Sequence, residues 1–210
     1  IYFSDSKKHT IDNSKIMNNS IGLYISGGSQ YVTVGNTTIK GNDNYGVVGV
    51  YAHYSEFYYN DITNNGGRGI VHDRGKNNIY VGNNISDNGG HGIYISASGE
   101  QGPGRNNFFK DNIINDNENS GINFVDEANN NTFIGNELKD NDYGIRFMAS
   151  PDNLFINNVI EGEVWDILVS DNGGFSTTSH NNTFINCTFN PDSIRFDDDG
   201  TIVEQNYLEI

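Results

Sequence analysis

The chain has 210 residues, of which 35% are hydrophobic, with 25 glycines, 3 prolines and a single cysteine. Its formal net charge of −15 argues against nucleic acid as a partner, because phosphate binding needs a basic stripe. A single cysteine excludes an internal disulfide, and no stretch approaches the roughly 18 apolar residues of a transmembrane segment.

The chain opens with a strand-like stretch, IYFSDSKKHTI, and begins at Ile1 rather than at a methionine. This beginning is typical of a mature or excised piece, so we expect the chain to be part of a larger surface protein. The end, after Asp192, departs from the pattern described below. It predicts a final hairpin or the entry to a following domain.

A strand headed by glycine recurs along the chain at a nearly constant interval. It reads GLYI from Gly22 and GIRF from Gly144, and aspartate replaces the glycine in DILV. The strands start at Gly22, Gly46, Gly69, Gly92, Gly121, Gly144 and Asp166. Successive starts differ by 24, 23, 23, 29, 23 and 22 residues, and the long interval contains a Gly/Pro loop at 99–105. The alternation of apolar and polar residues predicts strands with one buried face.

Two columns of asparagine run in step with these strands. The first is predicted to contain Asn13, Asn36, Asn60, Asn83, Asn112, Asn136 and Asn158, with Cys187 as its last member. The second contains Asn19, Asn42, Asn65, Asn88, Asn117 and Asn141, followed by Glu163. Stacked asparagines can hydrogen-bond one another and the turn backbone, and asparagine tolerates the left-handed backbone of a sharp corner.

Strands that recur every 23 residues or so without intervening helices exclude a βαβ sheet. They predict an all-β parallel β-helix of about eight coils over residues 1–190, with neighbouring strands about 4.8 Å apart, and a C-terminal strand segment over 191–210. One inward column is predicted to contain Leu23, Val47, Ile70, Ile93, Ile122, Ile145 and Ile167.

The pattern N-x-I-x-x-N-x-x-G-I-x-I, from about Thr10 to Phe189, resembles the carbohydrate-binding and sugar-hydrolase β-helix repeat family, which includes NosD-like and pectate-lyase-like proteins. The resemblance implies a right-handed β-helix. The same repeat serves lyases, epimerases, glycosidases and inert scaffolds, so the resemblance alone leaves the function open.

A site on stacked coils is made of outward residues in adjacent rows. Aromatic and polar side chains alternate outward on the glycine-headed strands and could form a sugar platform. The predicted polysaccharide-binding residues of this face are Tyr24, Tyr45, Tyr143, Arg146, Asp73 and Arg74. Ordinary surface stacking of aromatic side chains is the alternative.

Catalysis on this face has two possible forms. In a uronate lyase or epimerase, Arg68 or Arg146 would neutralise the substrate carboxylate, one of His91 and Tyr94 would abstract the C5 proton, and the other would return one. The chain has no Asp-Pro-His segment of the kind that marks the epimerases of this fold. In a glycosidase, Asp126 and Asp171 occupy equivalent positions two coils apart, about 9.6 Å.

No metal site is predicted, because the five histidines lie scattered without ligand spacing. Calcium is a possible cofactor on acidic pairs, since hard cations prefer oxygen ligands. The candidate ligands are Asp126 with Glu127, Asp140 with Asp142, and Asp197 to Asp199.

The leading hypothesis is a secreted or cell-surface module that binds polysaccharide along the glycine-headed face. The alternatives are a lyase, epimerase or glycosidase that uses the same face, and a structural spacer of the cell envelope. Two loops, at 99–105 and 170–180, follow glycine-headed strands and could wall a groove beside that face.

Overall fold

A computed structural model of the protein describes residues 1–97, 104–170, 178–197 and 199–205. Two parallel sheets run along the whole coil stack. The Gly-led sheet is formed by β1 (Tyr2–Ser4), β4 (Ile21–Ser26), β7 (Tyr45–Val50), β10 (Ile70–Asp73), β12 (Ile93–Ser96), β14 (Ser120–Val125), β16 (Glu137–Met148), β18 (Val159–Ser170) and β20 (Ile194–Phe196). The side sheet is formed by β2 (Thr10–Asp12), β5 (Thr33–Gly35), β8 (Glu56–Tyr58), β11 (Ile79–Val81), β13 (Phe108–Lys110), β15 (Thr132–Ile134), β17 (Leu154–Ile156), β19 (Asn182–Ile185) and β21 (Ile202–Gln205).

A shorter third sheet closes each coil. It contains β3 (Lys15–Met17), β6 (Thr38–Lys40) and β9 (Asp61–Thr63), and single parallel bridges continue it through Asn84 and Ile113. A 3₁₀ turn covers Pro191–Ser193. Within the four described ranges, no helix is long and apolar enough to cross a membrane.

Strand pairing is parallel and in register from coil to coil, which confirms the predicted parallel β-helix. The nine strands of the Gly-led sheet make eight successive pairings, in agreement with about eight coils. Tyr94, for example, pairs with Val71 on one side and with Asn123 on the other. The predicted inward column is buried: Leu23, Val47, Ile70, Ile93, Ile122, Ile145 and Ile167.

Glycine heads these strands because neighbouring coils approach too closely for a side chain. A Cβ on Gly22 would lie 2.6 Å from the carbonyl oxygen of Gly46. Aspartate takes this position only at Asp166, whose buried carboxylate accepts hydrogen bonds from the Asn190 amide (2.7 Å) and the Ser193 hydroxyl (3.1 Å). Asp166 thus ties the last turns to the coil stack.

The centre of the coil stack is a column of aromatic rings contributed by the side sheet. Successive rings stack at centroid distances of 4.8, 4.6, 4.5, 4.9 and 4.6 Å. The column contains Phe57, Tyr80, Phe109, Phe133, Phe155 and Phe184. Face-to-face stacking at this spacing follows from the strand separation, because identical positions repeat once per coil.

Tyr80 introduces a hydroxyl into this apolar column, and His72 of the Gly-led sheet hydrogen-bonds to it. His72 is fully buried, as predicted for an inward position, and its Nδ1 lies 3.0 Å from the Tyr80 hydroxyl. Its Nε2 lies against Gly75 and has no hydrogen-bond partner among the described residues. Burial lowers the pKa of His72 to about 4, so the ring is neutral at physiological pH.

Buried asparagine ladders stabilise two corners as predicted, with one correction of register. In the first ladder each asparagine donates its backbone N–H and its Nδ2 to the Oδ1 of the next. This ladder runs through Ser14, Thr37, Asn60, Asn83, Asn112, Asn136, Asn158 and Cys187. The prediction was wrong at Asn13 and Asn36, which lie exposed one residue before the ladder.

The second ladder is confirmed from Asn19 to Asn141. Its predicted last member, Glu163, is exposed, because Asn141 pairs with Gly162 instead. A third ladder that the repeat pattern did not predict occupies the corner after each Gly-led strand. It contains Ser55, Asn78, Asn107, Asn131, Asn153 and Asn182.

A left-handed residue precedes the ladder residue at each corner. Asn36, before Thr37, has φ 46°, and Gly82, before Asn83, has φ 65°. Asparagine, aspartate and glycine tolerate this conformation best, which explains why an exposed asparagine so often stands next to a buried one. Because the exposed and the buried position of a corner both favour asparagine, the predicted ladder was one residue out of register at Asn13 and Asn36.

The segment after Asp192 adds a further layer to the coil stack. Ile194 pairs in parallel with Ile167, and Ile202 pairs in parallel with Asn182. The described residues therefore form parallel strands here in place of the expected hairpin. Entry into a following domain stays a prediction.

Cys187 offers a test of the last coil. Its thiol lies 3.7 Å from the Asn158 Nδ2 and is partly buried, and burial raises its pKa. We expect slow reaction with a thiol reagent in the native state and complete reaction in denaturant, because the reactive thiolate is disfavoured. Equal labelling rates in both conditions would contradict the placement of Cys187 in the ladder.

Candidate functional site

The outward face of the Gly-led sheet carries an unusual concentration of arginine. Side chains alternate inward and outward along each strand, so the residue after each member of the buried column faces outward. Of the chain's five arginines, Arg68, Arg146 and Arg195 lie on this face and Arg74 directly follows β10. Six of the seven lysines lie outside the strands of this sheet, and Lys139 lies in the first part of β16, before the corner at Asn141, where it pairs with Glu137. We call the outward surface of the Gly-led sheet the arginine face.

Arg68 and Tyr94 form the centre of this face. The Arg68 guanidinium lies 3.7 Å from the centroid of the Tyr94 ring, a cation–π contact between neighbouring coils. The His91 ring stacks beside Tyr94 at 5.8 Å, and both Arg68 and Tyr94 are partly exposed. The structure therefore brings together the three residues that the sequence analysis grouped.

His91 is buried beneath this pair, with an exposed fraction of 8%. Its Nδ1 accepts a hydrogen bond from the Ser120 backbone N–H at 3.2 Å, and its Nε2 lies 3.1 Å from the side-chain amide of Asn123. Burial, with further contributions from Arg68 and Arg146, lowers the pKa of His91 to about 4. The ring is thus neutral and carries its one proton on Nε2.

This protonation state decides the orientation of Asn123. Because the Nε2–H of His91 is a donor, the Asn123 amide must present its oxygen to it. The opposite orientation leaves Oδ1 of Asn123 buried without a partner among the described residues. With both nitrogens engaged, His91 holds Asn123 and Tyr94 in place, and it has no free lone pair for a substrate proton.

The hydroxyl of Tyr94 keeps its proton in the free protein. Burial raises the pKa of Tyr94, and the nearby carboxylates of Asp126 and Asp73 add to this, while the Arg68 guanidinium opposes them. The roles assigned to His91, Tyr94 and Arg68 in proton transfer stay predictions. In the free protein, Tyr94 offers a ring, a hydrogen-bond donor and an adjacent cation.

Asp73 and Arg74 form an ion pair at the edge of the arginine face. The Arg74 Nη2 lies 2.6 Å from the Asp73 carboxylate and its Nη1 donates to the Tyr51 hydroxyl at 2.8 Å, and the ion pair raises the pKa of Arg74. Asp73 also accepts a hydrogen bond from the Ser96 hydroxyl at 2.8 Å. This network fixes the edge of the face.

A shallow concavity of about 280 Å³ follows on the next coils. It is lined by Tyr143, Arg146, Trp165, Leu168, Arg195 and Asp197. Arg195 donates to Asp197 at 2.6 Å, and the Arg146 Nε lies 3.4 Å from the Ser170 hydroxyl. The repeat pattern predicts Tyr143 and Arg146 on this face but not Arg195, because the glycine-headed pattern does not continue after Asp192. Extending the column of Arg146 by two coils would have reached it.

The other predicted residues lie apart from this centre. Tyr24 is three strands away from Tyr94 and packs against Tyr2, with ring centroids 5.3 Å apart. Tyr45 lies between Tyr24 and Tyr94, one strand before Arg68. Asp126 follows β14 at the edge of the face. Asp171 and most of the loops at 99–105 and 170–180 lie outside the described residues, so the glycosidase pair stays a prediction.

No cluster of three or more His, Cys, Asp or Glu side chains in the described ranges is arranged to hold a metal ion. Asp140 and Asp142 lie on β16. Calcium binding by these or the other acidic pairs stays a prediction.

Solved structures with the same architecture are known. The A-module of mannuronan C-5 epimerase AlgE4 from Azotobacter vinelandii superposes with a TM-score of 0.78 at 17% identity, covering 95% of this chain and 60% of that one. The Agl-KA catalytic domain gives 0.72 at 21% identity, covering 93% and 42%, and pectate lyase Pel9A gives 0.62 at 12%, covering 96% and 64%. At these identities the likeness establishes the fold.

The chain spans less than two thirds of each of these structures. No curated protein sequence matches it. The model of the family described as "Right handed beta helix region" matches residues 1–138 and 100–208. The chain therefore belongs to the right-handed β-helix family.

Proposed function

We propose that this β-helix binds an acidic polysaccharide along its arginine face, outside the cell. The observation that carries the proposal is the arginine distribution. A chain with a net charge of −15 would repel a polyanion unless cations were concentrated where it binds. Arg68, Arg146 and Arg195 supply such a concentration on one face.

The side-chain chemistry favours carboxylates on a sugar backbone. The planar guanidinium of arginine binds a carboxylate bidentately, which the ammonium of lysine cannot do. The rings of Tyr94, Tyr143 and Trp165 lie among these cations and match the C–H faces of pyranoses. Arg68 and Arg146 lie three coils apart, which is roughly 14 Å along the coil stack at about 4.8 Å per coil, so an extended chain would contact both.

The names of the similar structures support the same ligand class. Two of the three reported structures are an epimerase of mannuronan and a lyase of pectate, both polymers of uronic acids. Binding is favoured over turnover because the basic Nδ1 of neutral His91 already accepts a hydrogen bond from the Ser120 backbone, and because Tyr94 keeps its phenolic proton in the free protein.

The test is titration calorimetry with polymannuronate and polygalacturonate oligomers. We expect Arg68→Gln and Arg146→Gln each to weaken binding by roughly tenfold or more, because each removes a charge-assisted hydrogen bond. Arg105→Gln is the matched control, since it makes the same charge change at an exposed residue away from the face. Equal affinities for wild type, Arg68→Gln and Arg146→Gln would contradict the proposal.

A lyase or epimerase is the second candidate, favoured by the Arg68 guanidinium over Tyr94, which stabilises a phenolate. Tyr94→Phe separates the two functions, because it keeps the ring and removes the hydroxyl. A binding module should retain its affinity within about threefold, since ring stacking is preserved. A lyase or epimerase should lose about 10²-fold or more in turnover, measured as unsaturated product or as inversion at C5.

A further inference from the structure

The corner between the Gly-led sheet and the side sheet carries a second surface, separate from the arginine face. Its left-handed positions precede the third asparagine ladder in each coil. In chain order they are Lys8, Tyr31, Tyr54, Asn77, Asn106, Asn130, Asp152 and Asn181. We call this row the third-ladder corner.

Two tyrosines occupy positions in this row that the backbone does not favour. Tyr31 and Tyr54 have φ of 58° and 53°, a conformation that bulky residues rarely adopt and that asparagine, aspartate or glycine would tolerate. They are 47% and 41% exposed, so they contribute little to the core. Their rings stack on each other at 5.4 Å with an interplanar angle of 18°. Stability does not account for this exposed aromatic platform.

A groove of about 450 Å³ lies farther along the same corner. Its floor is Thr132, Leu154 and Thr183, the paired outward residues of three neighbouring side-sheet strands. Its wall is the row of corner side chains Asn106, Asn130, Asp152 and Asn181. Hydroxyl and apolar side chains thus alternate beneath three amides and one carboxylate, which matches the hydroxyl edges and apolar C–H faces of a sugar chain.

The charge of the groove selects against an acidic ligand. Its lining contains no arginine or lysine and includes the carboxylate of Asp152. The nearest cations are Lys76 and Arg105, whose backbones form a parallel β-bridge. They lie one residue before the corner, on the side toward the Gly-led sheet. An acidic chain would meet a carboxylate and no cation in the groove, whereas an uncharged chain finds hydrogen-bonding partners.

We propose that the third-ladder corner binds an uncharged polysaccharide, stacked on Tyr31 and Tyr54 and hydrogen-bonded in the amide groove. The platform and the groove are continuous, because only Asn77 separates Tyr54 from Asn106 in the row. From Tyr31 to Asn181 the row spans six coil steps, roughly 29 Å at about 4.8 Å per step. A pyranose residue in a 1,4-linked chain has nearly the length of one coil step.

The decisive variant is the double replacement Tyr31→Asn and Tyr54→Asn. Asparagine tolerates the left-handed backbone, so the melting temperature should stay unchanged or rise. Binding of hydroxyethylcellulose, galactomannan or arabinoxylan, measured by affinity gel electrophoresis, should weaken by about fivefold or more because the stacking surface is lost. A variant that is equally stable and binds as wild type does would overturn the proposal.

A second variant tests the groove. Thr132→Lys places a long side chain on the groove floor and should weaken the same binding, whereas Thr10→Lys, in the same outward column but in the first coil, should not. The arginine-face double variant Arg68→Gln/Arg146→Gln should bind the uncharged polymers as wild type does. The proposal would be overturned if the Arg68→Gln/Arg146→Gln variant lost binding of the uncharged polymers, or if none of the three polymers bound to the wild type. Preferential binding of polygalacturonate at the corner would also overturn it. Failure of the arginine face to bind polyuronate is a separate result.

Discussion

Replacing Asn112 by leucine is expected to lower the free energy of unfolding by about 3 kcal/mol or more, because several buried groups lose their partners together. The Oδ1 of Asn112 accepts both the backbone N–H and the Nδ2 of Asn83 at 2.9 Å. Its Nδ2 donates to the Tyr80 carbonyl at 3.0 Å and to Asn136 at 2.9 Å. Leucine has a similar volume and makes none of these bonds. The measurement is urea denaturation followed by circular dichroism.

Asn36→Gly is the matched control for this experiment. Asn36 is exposed and left-handed, and among the described residues its side chain donates a hydrogen bond to the exposed Asp12 at 3.0 Å and to no other group. Glycine tolerates the same backbone, so the change should cost less than about 0.5 kcal/mol. Comparable losses for Asn112→Leu and Asn36→Gly would mean that the ladder does not stabilise the coil stack.

The second large effect is acid sensitivity from His72 and His91. Both have a pKa lowered from 6.5 to about 4 by burial. As the pH falls below 6.5, the unfolded chain binds protons that the folded chain does not bind until about pH 4. The free energy of unfolding should therefore fall between these values, by on the order of 3 kcal/mol for each histidine.

The double variant His72→Ile/Tyr80→Phe tests this assignment. Isoleucine matches Ile95 in the next coil, and phenylalanine matches Phe57 and Phe109 in the aromatic column. Each single change leaves a buried polar group without its partner and should destabilise by roughly 1–3 kcal/mol, whereas the double variant removes both groups and should be nearly neutral at pH 7.

The double variant should also lose about half of the acid sensitivity, because only His91 then remains with a strongly lowered pKa among the buried histidines. The measurement is the midpoint of urea denaturation at a series of pH values from 7 to 4. An unchanged pH profile in the double variant would mean that His72 does not contribute to acid unfolding.

The coil in which most residues lie follows from the repeat in the sequence. A period of about 23 residues with parallel, in-register pairing makes residues one period apart neighbours. The buried column from Leu23 to Ile167 and the proximity of Arg68, His91 and Tyr94 could therefore be predicted without a structure. The register failed at Asn36 because left-handed and ladder positions both favour asparagine. The third ladder escaped notice because its first member is Ser55.

The tertiary structure decided what each side chain does within its row. Repeat spacing places His91 and Tyr94 on the same face, but only packing buries His91 against Ser120 and Asn123 and leaves Tyr94 beneath the Arg68 guanidinium. A side-chain direction, a protonation state and a hydrogen-bond partner depend on the volume left by neighbouring coils, and periodicity contains no information about that volume. For the same reason, periodicity does not predict the groove beside Asn130.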